Sequence, residues 1–339
     1  MQYKVSIKRK CYLLSVLLMT VWLTGCVQEE FESTPSPAGN GIRFTLTVPD
    51  VNLPSVSSRT MTGTGTAKKE DEIETVDILV FDMSKTPAVF LEWVSATGVT
   101  QDLADNSTVS FSAVLSPTTA STCIVVVANK ELDNIVSGFT KGATTKVEAM
   151  EKMLHTQTGK WLADGSTTGG YTRIPMYGEK VISKITPSMD PITGINMKRM
   201  LARIDIRNNS ATSNFTVEEV YLANYNTTGY IAPAWNTNGQ VTDPVPDTPV
   251  LPAGSGKMTE EGDAILYSVN GNTPYDGEIY TFESLAAEDA GGAGADGEAS
   301  RKDATCLIVK GRIGTGESTF YRVDFTKNGN TGEQVEYLP

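Results

Sequence analysis

Residues 41–49 read GIRFTLTVP, and apolar side chains fall at every second position. Ile42, Phe44, Leu46 and Val48 share one face, while Arg43, Thr45 and Thr47 take the other. Successive strand residues point to opposite sides, so this spacing predicts a half-buried β-strand. Short apolar runs of similar length recur downstream: ETVDILVFD, STVSFSAVL, RMLARIDIRN, FTVEEVYLANY, AILYSV, EIYTFES, CLIVKGRI and FYRVDF. The run CIVVVAN at 123–129 has no alternation, which predicts a central strand covered on both faces. One stretch breaks the rhythm. KVEAMEKMLHTQTGKW sets Val147, Met150 and Leu154 at helical spacing and predicts a helix near 146–155 with that stripe buried. Many short strands separated by turn chemistry predict a mainly β chain of two sandwich domains with one or two short helices.

The first residues follow a different pattern. Lys4, Lys8, Arg9 and Lys10 precede an apolar run at 12–23, which is too short for a membrane span of roughly 20 apolar residues. A basic head, a short apolar core and small residues at its exit describe a secretory signal. The exit, Leu23-Thr24-Gly25-Cys26, resembles the lipobox of bacterial lipoproteins, in which the signal is cut before a cysteine that then carries lipid. A conventional signal cut nearby, with Cys26 an ordinary thiol, is the alternative. The acidic stretch after Cys26 reads physically as a solvated tether. It also resembles the acid-rich segment that follows the lipidated cysteine in lipoproteins exported to the cell face of Bacteroidetes.

From these signals the expected organisation is a signal peptide at 1–25 and a tether with its strand at 26–59. An N-terminal sandwich at 60–190 and a C-terminal sandwich at 191–339 follow. The second boundary rests on the Pro, Gly and Ser that interrupt the strand pattern between about 180 and 197.

Charge narrows the partners. The whole chain carries −12, and the first 25 residues hold four basic groups and no acidic ones, so the mature chain is close to −16. Such a chain repels nucleic acid and anionic membrane faces, and no basic patch interleaved with aromatics argues otherwise. Cys123 and Cys306 remain after Cys11 and Cys26 are set aside, and both sit in apolar runs. An even pair in an exported chain can be a disulfide. Two buried thiols acting as small apolar groups is the reading favoured here, because the two runs are assigned to different domains.

Chemistry is sparse. The single histidine, His155, lies beside the apolar face of the predicted helix, which suits a rim or surface residue better than a catalyst. GAGADG at 292–297 spells a dinucleotide-binding pattern but lacks the flanking strand and helix that the mechanism needs. GSGKM at 254–258 lacks the first glycine and the hydroxyl of a phosphate loop. Both read as loops. Nothing selects a catalytic pair among 40 acidic residues, and no catalytic residue, metal ligand or cofactor is assigned.

Several phrases stand in order along the chain: the lipobox at Cys26, IRFTLTV, SSRTM, EIETVDILVFD, VVVANK, IPMYGE, RMLARIDI and IYTFES. In this order they resemble the FimA/Mfa1-like fimbrial proteins of Bacteroidales, the type V pilins. The resemblance implies two transthyretin-like Greek-key β-sandwich domains and export to the outer membrane as a lipoprotein. It also implies an arginine-specific protease that cuts between Arg59 and Thr60. The cut releases the strand bearing Ile42, Phe44, Leu46 and Val48, and a segment from another fimbrial subunit fills the groove by strand exchange. Taken from the residues alone, Arg59 is an ordinary exposed arginine in a segment of Ser, Thr and Gly, the composition that proteases favour.

Family members usually continue beyond VEYLP with further strands, whereas this sequence stops at Pro339. Either the gene is shortened, or the subunit accepts a strand without donating one, and a subunit of the second kind is expected to cap a fibre at its tip. Two other functions compete with the fimbrial reading. A surface glycan-binding lipoprotein needs exposed coplanar aromatics, with Tyr230 and Trp235 as the candidates. An exported hydrolase needs a cleft with paired carboxylates of shifted pKa.

Overall fold

The computed structural model describes residues 42–48, 70–101, 108–162, 172–206, 208, 214–242, 249–253, 264–268, 275–286 and 304–325. The chain is mainly β, with two short helices among the described residues. One four-stranded sheet has the order β4 (Thr97–Gln101), β5 (Thr108–Ala113), β1 (Ile42–Thr47) and β9 (Ile192–Asn196). A five-stranded sheet runs β10 (Lys198–Arg199), β8 (Met176–Ile182), β6 (Thr122–Ala128), β2 (Val76–Asp82) and β3 (Val89–Ser95). The two sheets close on a shared core in which Phe44, Leu46, Phe111 and Ile195 meet Ile78, Val80, Ile124 and Val126.

The five-stranded sheet is covered on its other side as well. Leu79, Phe81, Cys123, Val125, Val127 and Tyr177 form a second core with Ala149 and Met150. Ile231, Tyr280 and Phe282 join it from the C-terminal half. This double cover explains why β6 reads as an unbroken apolar run: all seven of its residues are buried. Gly178 on β8 keeps this sheet close to β9, since a Cβ there would lie 2.7 Å from the Met197 sulfur and 2.8 Å from Ile195 Cγ2.

The C-terminal strands form a third core. A sheet of order β14 (Ile265–Ser268), β12 (Phe215–Ala223), β16 (Cys306–Ile313) and β17 (Thr319–Asp324) packs with the pair β11 (Leu201–Ile206) and β15 (Tyr275–Phe282). The strands β9 and β10 lie beyond residue 190 but pair with β1 and β8 of the N-terminal half, and the pairing changes partners between Arg199 and Leu201. Cys123 and Cys306 are buried free thiols in separate sheets.

The helical segment departs from the sequence reading. The helices are α1 (Asp133–Val136) and α2 (Lys146–Lys152). A capping box starts α2: Thr145 Oγ1 accepts from Glu148 N–H at 3.2 Å, and the Glu148 carboxylate accepts from Thr145 N–H at 2.8 Å. The helix stops at Lys152, and residues predicted to continue it form β7 (Leu154–Thr156), which pairs with β13 (Thr228–Tyr230). Its buried apolar residues are Ala149 and Met150, while Leu154 is half-buried on β7. Pairing with a distant strand outweighs local helical spacing here, as tertiary contacts commonly do. The sequence reading also passed over β3 and β4, and it treated β13 as loop.

Candidate functional site

The alternation at 42–48 dictates how β1 is seated. Ile42 is 5% exposed, Phe44 and Leu46 are fully buried, and Val48 is 1% exposed, whereas Arg43 and Thr47 face solvent. On one side β1 pairs antiparallel with β5, setting Phe44 opposite Phe111 and Leu46 opposite Val109. On the other side it pairs in parallel with β9, setting Phe44 opposite Ile192 and Leu46 opposite Ile195. The strand therefore sits one place in from the sheet edge, which β9 forms. Just past its end, the Thr47 carbonyl accepts from Met197 N–H at 2.9 Å.

The aromatic pair Phe44 and Phe111 stacks with ring centroids 5.0 Å apart and planes 8° from parallel. At about 1.5–3 kcal/mol per buried apolar side chain, the four on β1 are worth at most about 6–12 kcal/mol. That is comparable to the roughly 5–15 kcal/mol that holds a domain folded. Emptying this slot would leave a groove lined by Phe111, Val109, Ile192 and Ile195, with unpaired backbone on both flanking strands. Such a groove can accept an extended segment through main-chain bonds and alternate side-chain pockets. Sequence reasoning found the inserted side chains but not β9 as a flank, because ITGIN is short and broken by glycine.

Cys26, Arg59 and Thr60 lie outside the described residues, as do the glycine-rich sequences at 254–258 and 292–297.

Other chemistry-bearing groups are built into packing. His155 lies on β7 opposite Gly229, with its ring 5.1 Å from Trp161 and 6.4 Å from Phe282. Burial, helped by the charge of Lys130, lowers its pKa to about 4, so it is neutral near pH 7. The buried Lys146 ammonium donates to Glu179 at 2.6 Å and to the Gly239 carbonyl at 2.5 Å. The Tyr177 hydroxyl donates to the same Glu179 oxygen at 2.5 Å. This network joins α2, β8 and the loop at 236–240, and desolvation beside it pushes the Cys123 thiol up to about 12, which makes it inert. Tyr230 and Trp235 are half-buried and meet edge to face, 4.9 Å apart at 77°. They are not the coplanar exposed pair that sugar stacking requires. Among the described residues no group of three or more His, Cys, Asp or Glu is gathered to hold a metal.

Residues 42–196 match the family described as Major fimbrial subunit protein (FimA). No curated protein matches the chain. Among solved structures, the tip fimbrial protein Mfa3 from Porphyromonas gingivalis with C-terminal truncation is 17% identical with a TM-score of 0.44, over 88% of this chain and 86% of that one. A fimbrial assembly protein from Parabacteroides distasonis is 11% identical with a TM-score of 0.40, over 85% of this chain and 87% of that one. TM-scores of this size support no inference about the present chain. The matched residues run from β1 through β9, so the similarity to the major fimbrial subunit (FimA) family spans both sheets that enclose the first core.

Proposed function

We propose that this protein is a structural, adhesive subunit of a bacterial cell-surface fimbria, and that β1 is a strand it exchanges during assembly. The observation that carries the reading is the seating of β1. The first strand of the family-matched region puts four apolar side chains into the core between β5 and β9. The 21 residues that join it to the rest of the body, 49–69, contain Arg59 amid Ser, Thr and Gly. A single cut there frees a strand worth much of a domain's stability, and the emptied slot binds a replacement from a neighbouring subunit.

In this account the chain is exported as a lipoprotein anchored to the outer membrane through Cys26. An arginine-specific protease cuts after Arg59, Thr60 becomes the new terminus, and the residues up to Arg59 leave with the anchor. The remaining body is two β-sandwich domains divided near residues 190–200. No catalytic role is assigned to it.

The test is treatment of the purified proprotein with an arginine-specific protease, alone and mixed with a fimbrial relative that carries a donor segment. Electron microscopy and N-terminal sequencing follow. Polymer containing this chain with Thr60 at its start supports the proposal. A chain cut after Arg59 that joins no polymer in either mixture contradicts it.

A further inference from the structure

Residues 70–74 read EDEIE and belong to no strand, yet their backbone is tied down from two sides. The Gln101 side chain donates to the Asp71 carbonyl at 2.7 Å and accepts from Ile73 N–H at 3.1 Å. Asn129, held at φ 58°, donates to the Glu72 carbonyl at 2.8 Å and accepts from Glu74 N–H at 3.0 Å. Between these clamps Ile73, 5% exposed, enters the first core.

Just ahead, Glu70 is 7% exposed and reaches across to the C-terminal half. Its two carboxylate oxygens accept from Arg203 Nη1 on β11 at 2.8 and 2.7 Å, and one of them also accepts from the Tyr280 hydroxyl on β15 at 2.5 Å. Arg199 pairs with the neighbouring Asp71. A carboxylate this buried is sustained only where opposite charge and hydrogen bonds replace water, and charge-assisted bonds of this kind are the strong ones.

We infer that Glu70, Arg203 and Tyr280 form a latch that holds the head of β2 in place once the chain is opened upstream. In the unbroken chain, residues 70–75 are joined through 49–69 to β1 and run on directly into β2. A break anywhere in 49–69 turns them into a chain end, and chain ends fray. Fraying past Glu70 would draw Ile73 out of the core and then reach Val76, the first residue of a strand paired on both sides. Glu70 is the first described residue downstream of the break with a buried charged anchor. Its partners stand on β11 and β15, which pair with each other and are untouched by loss of β1. The latch thus confines the consequence of a cut to the slot of β1. The acidic run also has a reason for its place: Glu70 and Asp71 meet the two arginines of RMLARIDI, Arg203 and Arg199, some 130 residues away in sequence.

The test uses the full chain with the recognition sequence of an unrelated protease placed in 49–69, so it does not depend on Arg59 being the natural site. Amide exchange of peptides covering 70–82 is followed by mass spectrometry in the unbroken and the opened protein. The variants are Arg203→Met and Tyr280→Phe; the second removes one hydroxyl only and serves if the first does not fold. The latch predicts exchange at least about tenfold faster in the opened variant than in the opened parent, consistent with losing a partner of a buried charge. It predicts a clearly smaller change in the unbroken pair, and partial recovery with Arg203→Lys. Equal acceleration in unbroken and opened protein, or none in either, overturns the inference.

Discussion

Phe44 and Phe111 stand directly opposite each other on β1 and β5, and their rings stack 5.0 Å apart within 8° of parallel. One ring belongs to the strand proposed to leave and the other to the groove proposed to remain. The pair therefore reports on the seating of β1. Phe44→Ala is expected to cost about 3–5 kcal/mol in urea unfolding of the uncut protein, and Phe111→Ala a similar amount. The double variant should cost less than the sum, because each single change already empties the shared contact. Arg43→Ala, on the solvent face, should stay within about 0.5 kcal/mol of the parent.

Cleavage makes a separate claim. Arg59→Ala should resist an arginine-specific protease in the 49–69 segment and should stay out of fibres. N-terminal sequencing of fibre-associated protein reads this directly. If the variant assembles as the parent does, assembly does not depend on this arginine.

The anchor is tested by mass spectrometry of the membrane-bound precursor. A mature chain that begins at a lipid-modified Cys26 is expected. An unmodified Cys26, or a start elsewhere, removes the lipoprotein step while leaving the argument for β1 intact.

His155 gives a pH signature. An unfolded histidine titrates near 6.5, and in the fold burial lowers this one to about 4. The unfolded chain therefore takes up a proton at a pH where the folded chain resists it. The neutral imidazole's contribution is full above about pH 6.5 and is lost as pH falls toward about 4. His155→Gln should flatten this part of the stability profile, seen as a parent-minus-variant difference that shrinks between pH 6.5 and 4. A difference independent of pH would show that the ring is not held neutral.

The strand pattern was legible because most β-sandwich strands bury one face. Ile42, Phe44, Leu46 and Val48 announced both the strand and its inward side, and CIVVVAN announced double burial. The α2 segment misled because Leu154 keeps helical spacing from Met150 while its backbone is captured by β13. Such a capture depends on residues more than 70 positions away, and no local spacing reports it. The parallel neighbour β9 was hidden for a similar reason, and so was the Glu70 contact with Arg203 and Tyr280. A charge run looks the same in sequence whether it is solvated or latched to a distant arginine.

The most direct test of the central claim is the thermal melt of protein cut in 49–69, before and after the released N-terminal peptide is washed away under mild denaturant. With the strand still seated, the cut protein should melt close to the intact one. With the strand removed, the melting temperature should fall by at least about 10 °C, as expected for losing several kcal/mol from a body of this size. A synthetic peptide of residues 41–49 should restore it, while a peptide with Phe44 and Leu46 replaced by Ser should not. An unchanged melting temperature after the strand is gone would contradict the account, because β1 would then be a passenger on the core rather than part of it.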